Sequence, residues 1–543
     1  MPANPEDRLD SWKEIAAFMR RDVRTVQRWE KKEGLPVYRH QHDKLGSIYA
    51  FRAELRDWFG SRQQPTSAVG SDKIKLAVLP FQDLSDRQND YFSEGLTEEM
   101  TTQITRLQPT ELAVIASSTA QHYDSTRRSL EEMKRNLGVD YVLEGKVRRA
   151  GKRVRITARL SEVQDQTQMW AETYERDLSD VLGLQAEIAQ AIAREINLAL
   201  NLSETARLSG LREGKTRVEP AAYDAYLKAR YHLHTMMPAG IRRSTEDFNH
   251  AVHLDPTYAP AHAGLAIAWA LLAIAPFDLL PPHHAMPKAE EAARKSLQLD
   301  EGLAEAHAAL ALVNHHYHWK WNEAEASYRR AIELNPGYDA AHLWFSWLLL
   351  ALDRRQEAIQ EIELTGRIVQ ETDPHRLVAV HATRAQAYYF GREFDRAIEE
   401  CDKALQLDSG HFMLHYILGR AYRRLGQGAK AIAQLKAARQ SSGDIPLVEA
   451  VLGLAYAVNG QKEQAQKVVD SFKTAASKRY IPPTYFGILF AGLGDKDQAL
   501  AWLEKAFQER ADLLTWLNVE PMMDDVRSDP RFQDLIRRIG LIR

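Results

Sequence analysis

The sequence has almost no cysteine and no long apolar run. Cys401 is the single cysteine among 543 residues, so no disulfide can form within the chain. The longest apolar run, residues 263–277, is shorter than the roughly 20 residues that a membrane-spanning helix needs. Residues 1–10 are polar and acidic, unlike the basic and then apolar start of a signal peptide. We therefore expect a protein of the reducing cytoplasm, without a membrane partner.

Strong net charge and catalytic motifs are also missing. The chain has 71 basic and 74 acidic residues, which excludes a wholly basic surface but not a local basic patch. Neither a Gly-rich phosphate loop nor a zinc-binding cysteine pair occurs. His315 and His318 can share a helix face, but two ligands are too few for a metal site. Glu98 and Glu99 are interpreted as first-turn carboxylates favoured by a helix dipole. We expect no enzyme activity, no cofactor and no metal.

What the sequence does contain is an internal repeat with a period of about 34 residues, a length typical of helical repeats. Small residues recur at this spacing in three registers: Gly419, Gly453 and Gly487; Gly426, Gly460 and Gly494; Ala397, Ala431, Ala465 and Ala499. We place Gly419 and Ala431 where two antiparallel helices cross, because only small side chains let the backbones approach. Gly426 falls at the end of the first helix, where a left-handed residue closes the turn. The repeat therefore predicts stacked helical pairs.

This pattern resembles the tetratricopeptide repeat (TPR) family. Further copies of the second-helix pattern occur, for example at Ala324, Tyr328, Ala331 and Pro336. The interval from Ala358 to Ala397 is longer than one repeat period, which predicts a short insertion at residues 371–376. The resemblance implies an all-α superhelical solenoid over residues 218–510, with about eight helical pairs. Residues 511–543 are expected to form a C-terminal cap over the last repeat.

In TPR proteins the first helices line a concave groove, and here the register places aromatic and basic side chains in it. The predicted groove residues are Tyr317, Trp347, Tyr389, Phe390, Tyr416, Arg420, Arg423 and Arg424. The resemblance therefore implies a protein or peptide partner, and the arginines favour one with a carboxylate or another acidic group. An alternative stays open for the aromatic residues, namely that Trp347 and Tyr389 pack between repeats.

Residues 8–60 have the pattern of a small DNA-binding domain. Residues 10–19 predict one helix, and residues 23–33 predict a second helix with Val26 facing inward. A helix, a short turn and a helix form a common DNA-reading motif. Residues 34–51 then predict a two-stranded wing, and a closing helix follows. A winged helix-turn-helix is the fold that this order predicts.

The stretch Arg24-Thr25-Val26-Gln27-Arg28-Trp29-Glu30, with its flanking Trp12-Lys-Glu-Ile-Ala, resembles the MerR-type winged helix-turn-helix of bacterial regulators and excisionases. The resemblance implies double-stranded DNA as a partner, and a homodimer, because such motifs usually read two half-sites. Arginine suits guanine edges, glutamine suits adenine, and lysine and threonine suit phosphates. The predicted DNA-binding residues are Arg24, Thr25, Gln27, Arg28, Lys31, Arg39 and Lys44.

Residues 61–73 predict a polar linker rich in serine, glycine and glutamine. Residues 74–200 then alternate strand and helix patterns and end in a hairpin, which predicts a mixed α/β sheet. Within them, Leu76-Ala-Val-Leu-Pro-Phe81 and Asp140-Tyr-Val-Leu-Glu-Gly-Lys-Val147 resemble the TolB amino-terminal-like domain. That family has no defined chemistry, so the domain is expected to relay a signal or to dimerise.

The sequence thus predicts a multidomain protein: a small winged helix-turn-helix, a mixed α/β domain and an all-α TPR solenoid. The favoured function is that of a non-enzymatic, DNA-binding transcriptional regulator with a protein or peptide partner in the repeat groove. A TPR scaffold without DNA binding, whose N-terminal module docks proteins, is the alternative. An enzyme with an unfamiliar site in the α/β domain is a third possibility.

Overall fold

The structure is a computed structural model. The residues that it describes are 8–9, 11–18, 26, 37–39, 48–51, 74–85, 90–107, 112–115, 139–199, 217–369, 374–443 and 445–542. The chain divides into two compact units, residues 1–73 and residues 74–543. The predicted linker at residues 61–73 and the predicted closing helix at residues 52–59 lie outside the described ranges. No described helix has the length and apolar character needed to cross a bilayer.

The described residues of the N-terminal unit form a short helix and three paired strands. These elements are β1 (Arg8–Leu9), α1 (Trp12–Phe18), β2 (Tyr38–Arg39) and β3 (Ile48–Phe51), with strand order β1-β3-β2. Ile15 and Val26 are fully buried in one apolar cluster with Leu9, Ile48 and Ala50. Val26 therefore faces inward as predicted, and an antiparallel strand pair occupies the place predicted for the wing. The rest of the second helix lies outside the described residues, so the complete winged helix-turn-helix stays a prediction.

Residues 74–199 form the predicted mixed α/β domain. Its elements are β4 (Ile74–Val78), β5 (Gln82–Asp83), α2 (Asp90–Leu107), β6 (Leu112–Ile115), β7 (Tyr141–Ala150), β8 (Arg153–Glu162), β9 (Thr167–Asp177) and α3 (Val181–Ala199). The main strand order is β6-β4-β7-β8-β9. Strand β4 is parallel to both neighbours, whereas β7, β8 and β9 are antiparallel. Helices α2 and α3 pack on the face that carries Val154 and Ile156. One of the helix patterns predicted within residues 74–200, at residues 130–137, falls outside the described ranges.

Between residues 220 and 509 the described part of the chain forms sixteen α-helices, in eight consecutive pairs. The pairs are α4 (Pro220–His234) with α5 (Pro238–Leu254), α6 (Ala259–Leu271) with α7 (Pro282–Leu299), α8 (Ala304–Val313) with α9 (Trp321–Leu334), α10 (Asp339–Ala351) with α11 (Arg355–Val369), α12 (Pro374–Phe390) with α13 (Phe394–Leu405), α14 (Phe412–Arg424) with α15 (Gly428–Ser442), α16 (Pro446–Val458) with α17 (Lys462–Ala475), and α18 (Pro483–Leu493) with α19 (Lys496–Glu509). Helices within a pair contact each other, and so do the first helices of successive pairs. This region is therefore a TPR-like helical array.

The turns inside the pairs keep the repeat period even where glycine is absent. Left-handed φ angles between 71° and 84° occur at the three predicted turn glycines, Gly426, Gly460 and Gly494. Trp319, Asp353 and Arg392 occupy the corresponding earlier turns with φ angles of 58°, 58° and 63°. Successive turns lie one repeat period apart, except that the interval from Asp353 to Arg392 is longer. The array therefore carries an insertion between these turns, where residues 371–376 were predicted to interrupt the register.

The C-terminal residues divide into two parts. Helix α20 (Pro530–Ile539) packs against α19, and Arg538 pairs with Glu504 at 2.8 Å. This part fits the predicted cap. Residues 511–526, here called the interior segment, contain two short 3₁₀ turns and pack against the first helices of the array instead. The cap predicted over the last repeat at residues 511–543 therefore stays a prediction, and residues 511–526 also contact a first helix of an earlier repeat, α10.

Gly419 lies at a helix crossing, as predicted. A Cβ atom at this position would approach Cγ of Leu435 to 2.5 Å and the carbonyl oxygen of Ala431 to 3.2 Å. Real Cβ atoms do not tolerate the first of these distances, so any larger residue must push α14 and α15 apart.

We expect Gly419→Val to destabilise the protein by about 2 kcal/mol, because overpacking a closely packed site costs about 1–3 kcal/mol. The loss is measured as a shift in the urea midpoint of the full chain. Gly410→Ala is the matched control, since the nearest atom to a Cβ there is Oδ1 of Asp408 at 3.7 Å. An unchanged midpoint for Gly419→Val would contradict the close crossing.

Candidate functional site

Three of the predicted groove residues meet around one carboxylate of the interior segment. The guanidinium of Arg420 lies 3.9 Å from the ring centroid of Tyr389 and 4.9 Å from that of Tyr416. It donates a hydrogen bond to Glu520, whose other oxygen accepts the Tyr389 hydroxyl at 3.0 Å. The side chains of Arg420 and Glu520 are only 1% and 8% exposed. The result is a buried ion pair enclosed by aromatic rings.

The protonation of this cluster follows from its burial. Burial, and then the charge of Glu520, raise the pKa of Tyr389 to about 12, so its hydroxyl keeps its proton and donates at neutral pH. Arg423 is also buried, and its Nε and Nη2 atoms have no hydrogen-bond partner among the described residues. The cluster therefore contains one arginine held by a carboxylate and one that is not.

A second carboxylate of the interior segment collects the neighbouring arginines. Asp524 lies within 2.9 to 3.1 Å of three of them: Arg392, Arg424 and Arg527. Nearby, the ring of Trp516 stacks on Phe390 with centroids 5.2 Å apart. An acidic group was expected at the groove arginines, and in the structure the chain's own interior segment supplies it.

The two remaining groove residues lie elsewhere. Tyr317 and Trp347 are half-buried against the core, beside the rings of His318 and His316 respectively. Tyr389 is fully buried in the same core. The packing role left open for Trp347 and Tyr389 is therefore what the structure shows, and binding of an external peptide by the groove residues stays a prediction.

A buried polar cluster joins distant parts of the array through the interior segment. Asp512 accepts the backbone N–H of Ala275 at 2.9 Å and lies 2.6 Å from Nδ1 of His316. Asp278, which follows α6, accepts the hydroxyl of Tyr485 on α18. Burial, and then the charge of Asp512, raise the pKa of Asp278 to about 8. Asp278 is therefore largely protonated at neutral pH.

The histidines flagged in the sequence have separate environments. His315 is fully buried, and burial followed by the proximity of His316 lowers its pKa well below the usual value. His318 instead lies 2.9 Å from Glu290. Among the described residues, no group of three or more histidine, cysteine, aspartate or glutamate side chains is arranged to hold a metal ion.

The α/β domain is fastened to the first repeat helix by a group of ion pairs. Helix α2 begins at Asp90, so Glu98 and Glu99 lie in its third turn and the first-turn interpretation was wrong. Their partner is Arg230 of α4, which lies 2.8 Å from Glu98 and also contacts Glu99. The hydroxyl of Tyr226 donates to Glu99 at 2.9 Å. These two glutamates therefore hold two domains together.

The predicted DNA-binding residues are almost all outside the described ranges. This applies to Arg24, Thr25, Gln27, Arg28, Lys31 and Lys44. Arg39 lies in β2, with its backbone opposite Ile48 of β3. Their contact with DNA stays a prediction.

Sequence reasoning missed the carboxylates that fill the groove. Asp512, Glu520 and Asp524 were assigned only to a cap. A usable signal was present, since acidic residues recur just after an array whose groove was predicted to be rich in arginine. Opposite charges in a groove and in the adjoining segment are a reason to test intramolecular pairing first.

Comparisons with known proteins support two parts of this architecture. Residues 71–191 match the family described as HilA/YgeH-like transcriptional regulator, second domain. Residues 320–380 match the tetratricopeptide repeat family. The chain thus contains a HilA/YgeH-like regulator domain and tetratricopeptide repeats. The resemblances to the MerR-type motif and to the TolB amino-terminal-like domain stay predictions.

Two curated relatives are similar over part of their length. The transcriptional regulator HilA of Salmonella typhimurium is 24% identical over 383 residues, which cover 70% of this chain and 64% of HilA. A protein of Rhizobium meliloti named putative adenylate cyclase 3 is 31% identical over 242 residues, which cover 44% of this chain and 40% of that protein. The matched part is therefore less than two thirds of either relative.

The solved structures that match are less similar in sequence. PilF of Pseudomonas aeruginosa is 19% identical with a TM-score of 0.31, covering 41% of this chain and 94% of PilF. The human IFIT1 dimer with PPP-AAAA is 16% identical with a TM-score of 0.36, covering 61% of this chain and 79% of that chain. Likeness at this level carries no functional argument.

We expect Glu520→Gln to lower the stability of the full chain by about 3 kcal/mol or more, because it leaves the buried charge of Arg420 unpaired. Urea unfolding measures the change. Glu333→Gln is the control, since Glu333 is 64% exposed and its pair with Arg330 should contribute about 1 kcal/mol or less. Equal losses in the two variants would show that the interior pair is not a buried charge pair.

A second expectation concerns pH. The folded protein holds the proton of Asp278 up to about pH 8, whereas the ordinary carboxyl pKa is 3.8. The stabilisation of the folded state that comes from this protonated carboxyl group is therefore complete below about pH 4. It is lost as pH rises toward 8, by at most about 1.4 kcal/mol per pH unit.

Asp278→Asn should gain stability relative to the wild type between pH 5 and pH 8. Asp497→Asn, at a side chain that is 86% exposed, should track the wild type. Parallel pH profiles for Asp278→Asn and the wild type would contradict the raised pKa.

Proposed function

We propose that the protein is a non-enzymatic transcriptional regulator that binds duplex DNA through its N-terminal unit. The observation that carries the proposal is the match of residues 71–191 to the second domain of a transcriptional regulator family. The unit before that domain has a helix and paired strands around Ile15 and Val26. These elements are compatible with a winged helix-turn-helix, and the similarity to HilA over 70% of the chain supports the same class of function.

In this proposal the second helix of the motif enters the major groove. Arg24, Gln27 and Arg28 would read base edges, because their side chains match the donors and acceptors of guanine and adenine. Thr25 and Lys31, with Arg39 and Lys44 of the wing, would hold backbone phosphates. A homodimer would place two such helices on successive half-sites.

The repeat array would bind a protein or peptide partner. An external acidic peptide in the groove would have to replace Glu520 at Arg420, and Arg423 would then offer unpaired donors to a further carboxylate. Tyr317, Trp347, Tyr389, Tyr416 and Arg424 would complete the surface. The partner is therefore expected to carry acidic and aromatic residues, as the interior segment does.

A TPR scaffold without DNA binding is the second candidate. It is favoured by the repeat family match and needs no DNA contact from the N-terminal unit. An enzyme is a third candidate, because one relative is named a putative adenylate cyclase. We place the protein in the cytoplasm in each case.

The double variant Arg24→Ala/Arg28→Ala should lower the affinity of the full chain for random-sequence duplex DNA by about tenfold or more. The reason is that the loss of each arginine side chain removes one contact with a base edge or a phosphate. Fluorescence anisotropy at low salt measures the affinity. The matched control is Arg330→Ala/Arg537→Ala, two exposed arginines of helices α9 and α20. Failure of the wild type to bind duplex DNA would favour the scaffold, and unchanged binding by Arg24→Ala/Arg28→Ala would remove the helix from the proposed interface.

A further inference from the structure

The last strand of the α/β sheet has a long edge that no described strand covers. Strand β9 ends the order β6-β4-β7-β8-β9, and among the described strands it pairs with β8 alone. It contains no proline and no lysine, and its register shift lies near its beginning, at Leu160 and Ser161 of β8. Natural sheets usually protect such edges with proline, lysine or bulges, because unpaired backbone groups there can pair with another strand. The free edge of β9 is therefore a candidate interaction surface.

The hydrogen bonds at the end of β9 indicate which backbone groups point outward. The N–H of Leu178 donates to the carbonyl oxygen of Lys152 at 2.6 Å. Hydrogen-bonded positions alternate along an antiparallel pair, so the even-numbered residues before Leu178 direct their N–H and C=O groups toward β8. The odd-numbered residues direct theirs away from it. These residues, here called the β9 edge, are Ala171, Thr173, Glu175 and Asp177.

The β9 edge is accessible from outside the domain. Ala171, Thr173 and Asp177 are exposed. The carbonyl oxygen of Glu175 accepts a hydrogen bond from Nη1 of the neighbouring Arg176 at 3.2 Å, which fits a carbonyl that faces away from β8. Among the described residues, none outside β9 makes a backbone hydrogen bond with this edge. A second strand can therefore reach it without displacing a described element.

The charges of β9 are self-complementary about Tyr174. Glu172 stands two residues before Tyr174, and Arg176 stands two residues after it. When two copies of β9 pair in antiparallel fashion about Tyr174, Glu172 of each copy lies opposite Arg176 of the other. Opposite charges in directly facing positions stabilise a strand pair. In this register none of the residues of the β9 edge faces a residue of like charge.

We propose that the β9 edge binds the β9 edge of a second copy of this chain, antiparallel about Tyr174, so that one sheet continues across a homodimer. The occupant is a second copy because the charges of β9 complement β9 itself. A two-fold axis through Tyr174 presents the same surface from both chains, so one strand supplies both halves of the contact. The inference rests on the homodimer of the proposed function, for which it names the interface.

The present partners of Arg176 allow this pairing. Its Nη2 atom lies 3.1 Å from Glu187 of α3, and the two side chains are 42% and 49% exposed. A pair with this exposure contributes little to stability, so it can rearrange or be shared. In the dimer the carbonyl oxygen of Glu175 accepts a backbone N–H of the second copy. Nη1 of Arg176 is thereby released and donates to Glu172 of the second copy.

The test measures the monomer–dimer equilibrium of the full chain by sedimentation velocity over a series of protein concentrations, without DNA. We expect the wild type to dimerise reversibly. Arg176→Glu and Glu172→Arg should each weaken dimerisation by about tenfold or more, because each variant places like charges opposite each other at two positions. An equimolar mixture of the two variants should recover the dimer, since the mixed pair has opposite charges at both positions.

Two further variants separate the interface from the fold. Glu187→Gln removes the partner of Arg176 within the chain and should leave dimerisation unchanged. Thr173→Pro removes an N–H that points away from β8, and proline is tolerated at such positions of an edge strand. This variant should keep the circular dichroism spectrum of the wild type and lose the dimer.

The outcomes also separate this inference from the proposed function. A wild type that stays monomeric across the series but binds duplex DNA overturns the inference alone. A dimer that the charge reversals and Thr173→Pro leave intact uses another surface, which overturns it as well. Failure of the mixed variants to recover the dimer contradicts the register about Tyr174. If the wild type dimerises through the β9 edge but binds no duplex DNA, the inference stands and the proposed function fails.

Discussion

The ion pair between Arg420 and Glu520 is the interaction on which the filled repeat array depends. Both charges are withdrawn from water, a cost that only direct pairing and further hydrogen bonds can offset. Tyr389 provides one such bond to the same carboxylate. Because the interior segment also stacks Trp516 on Phe390 and pairs Asp512 with His316, a shift of one residue along the chain would break all of these contacts together. The interior segment therefore has one register in the groove. Any external ligand of this groove would have to compete with the interior segment.

The helices of the array were predictable because their signal is local. Gly419 and Ala431 lie at a helix crossing, and Gly426 has the left-handed backbone that its place in the repeat requires. The occupant of the groove was not predictable in the same way, since Arg420 and Glu520 are 100 residues apart. Periodicity identifies which side chains share a face, but it does not identify what covers that face. The groove arginines were therefore assigned to an external partner, whereas in the structure Arg420 and Arg424 meet the chain's own carboxylates.

The turns show a second limit of predicting structure from residue types. Glycine marks only the later turns of the array, whereas Trp319, Asp353 and Arg392 adopt left-handed backbone without it. Such a conformation is unfavourable for these residues, so the packed helices on either side must impose it. In the N-terminal unit, by contrast, the sequence pattern was enough to place Val26 inside, and paired strands lie where a wing was predicted.

Arginine has two different roles in this chain, and composition cannot distinguish them. In the repeat region, Asp524 alone contacts Arg392, Arg424 and Arg527, so one carboxylate collects three cations of the fold. On the α/β sheet, Arg155 pairs with Glu175 of the neighbouring strand at 3.2 Å. The partly buried carboxylate of Asp524 holds a distant segment of the chain in the groove, whereas a pair between exposed side chains contributes about 1 kcal/mol or less. The number of arginines in the sequence therefore does not indicate how many are available to an external ligand, because that number depends on carboxylates that lie far away along the chain.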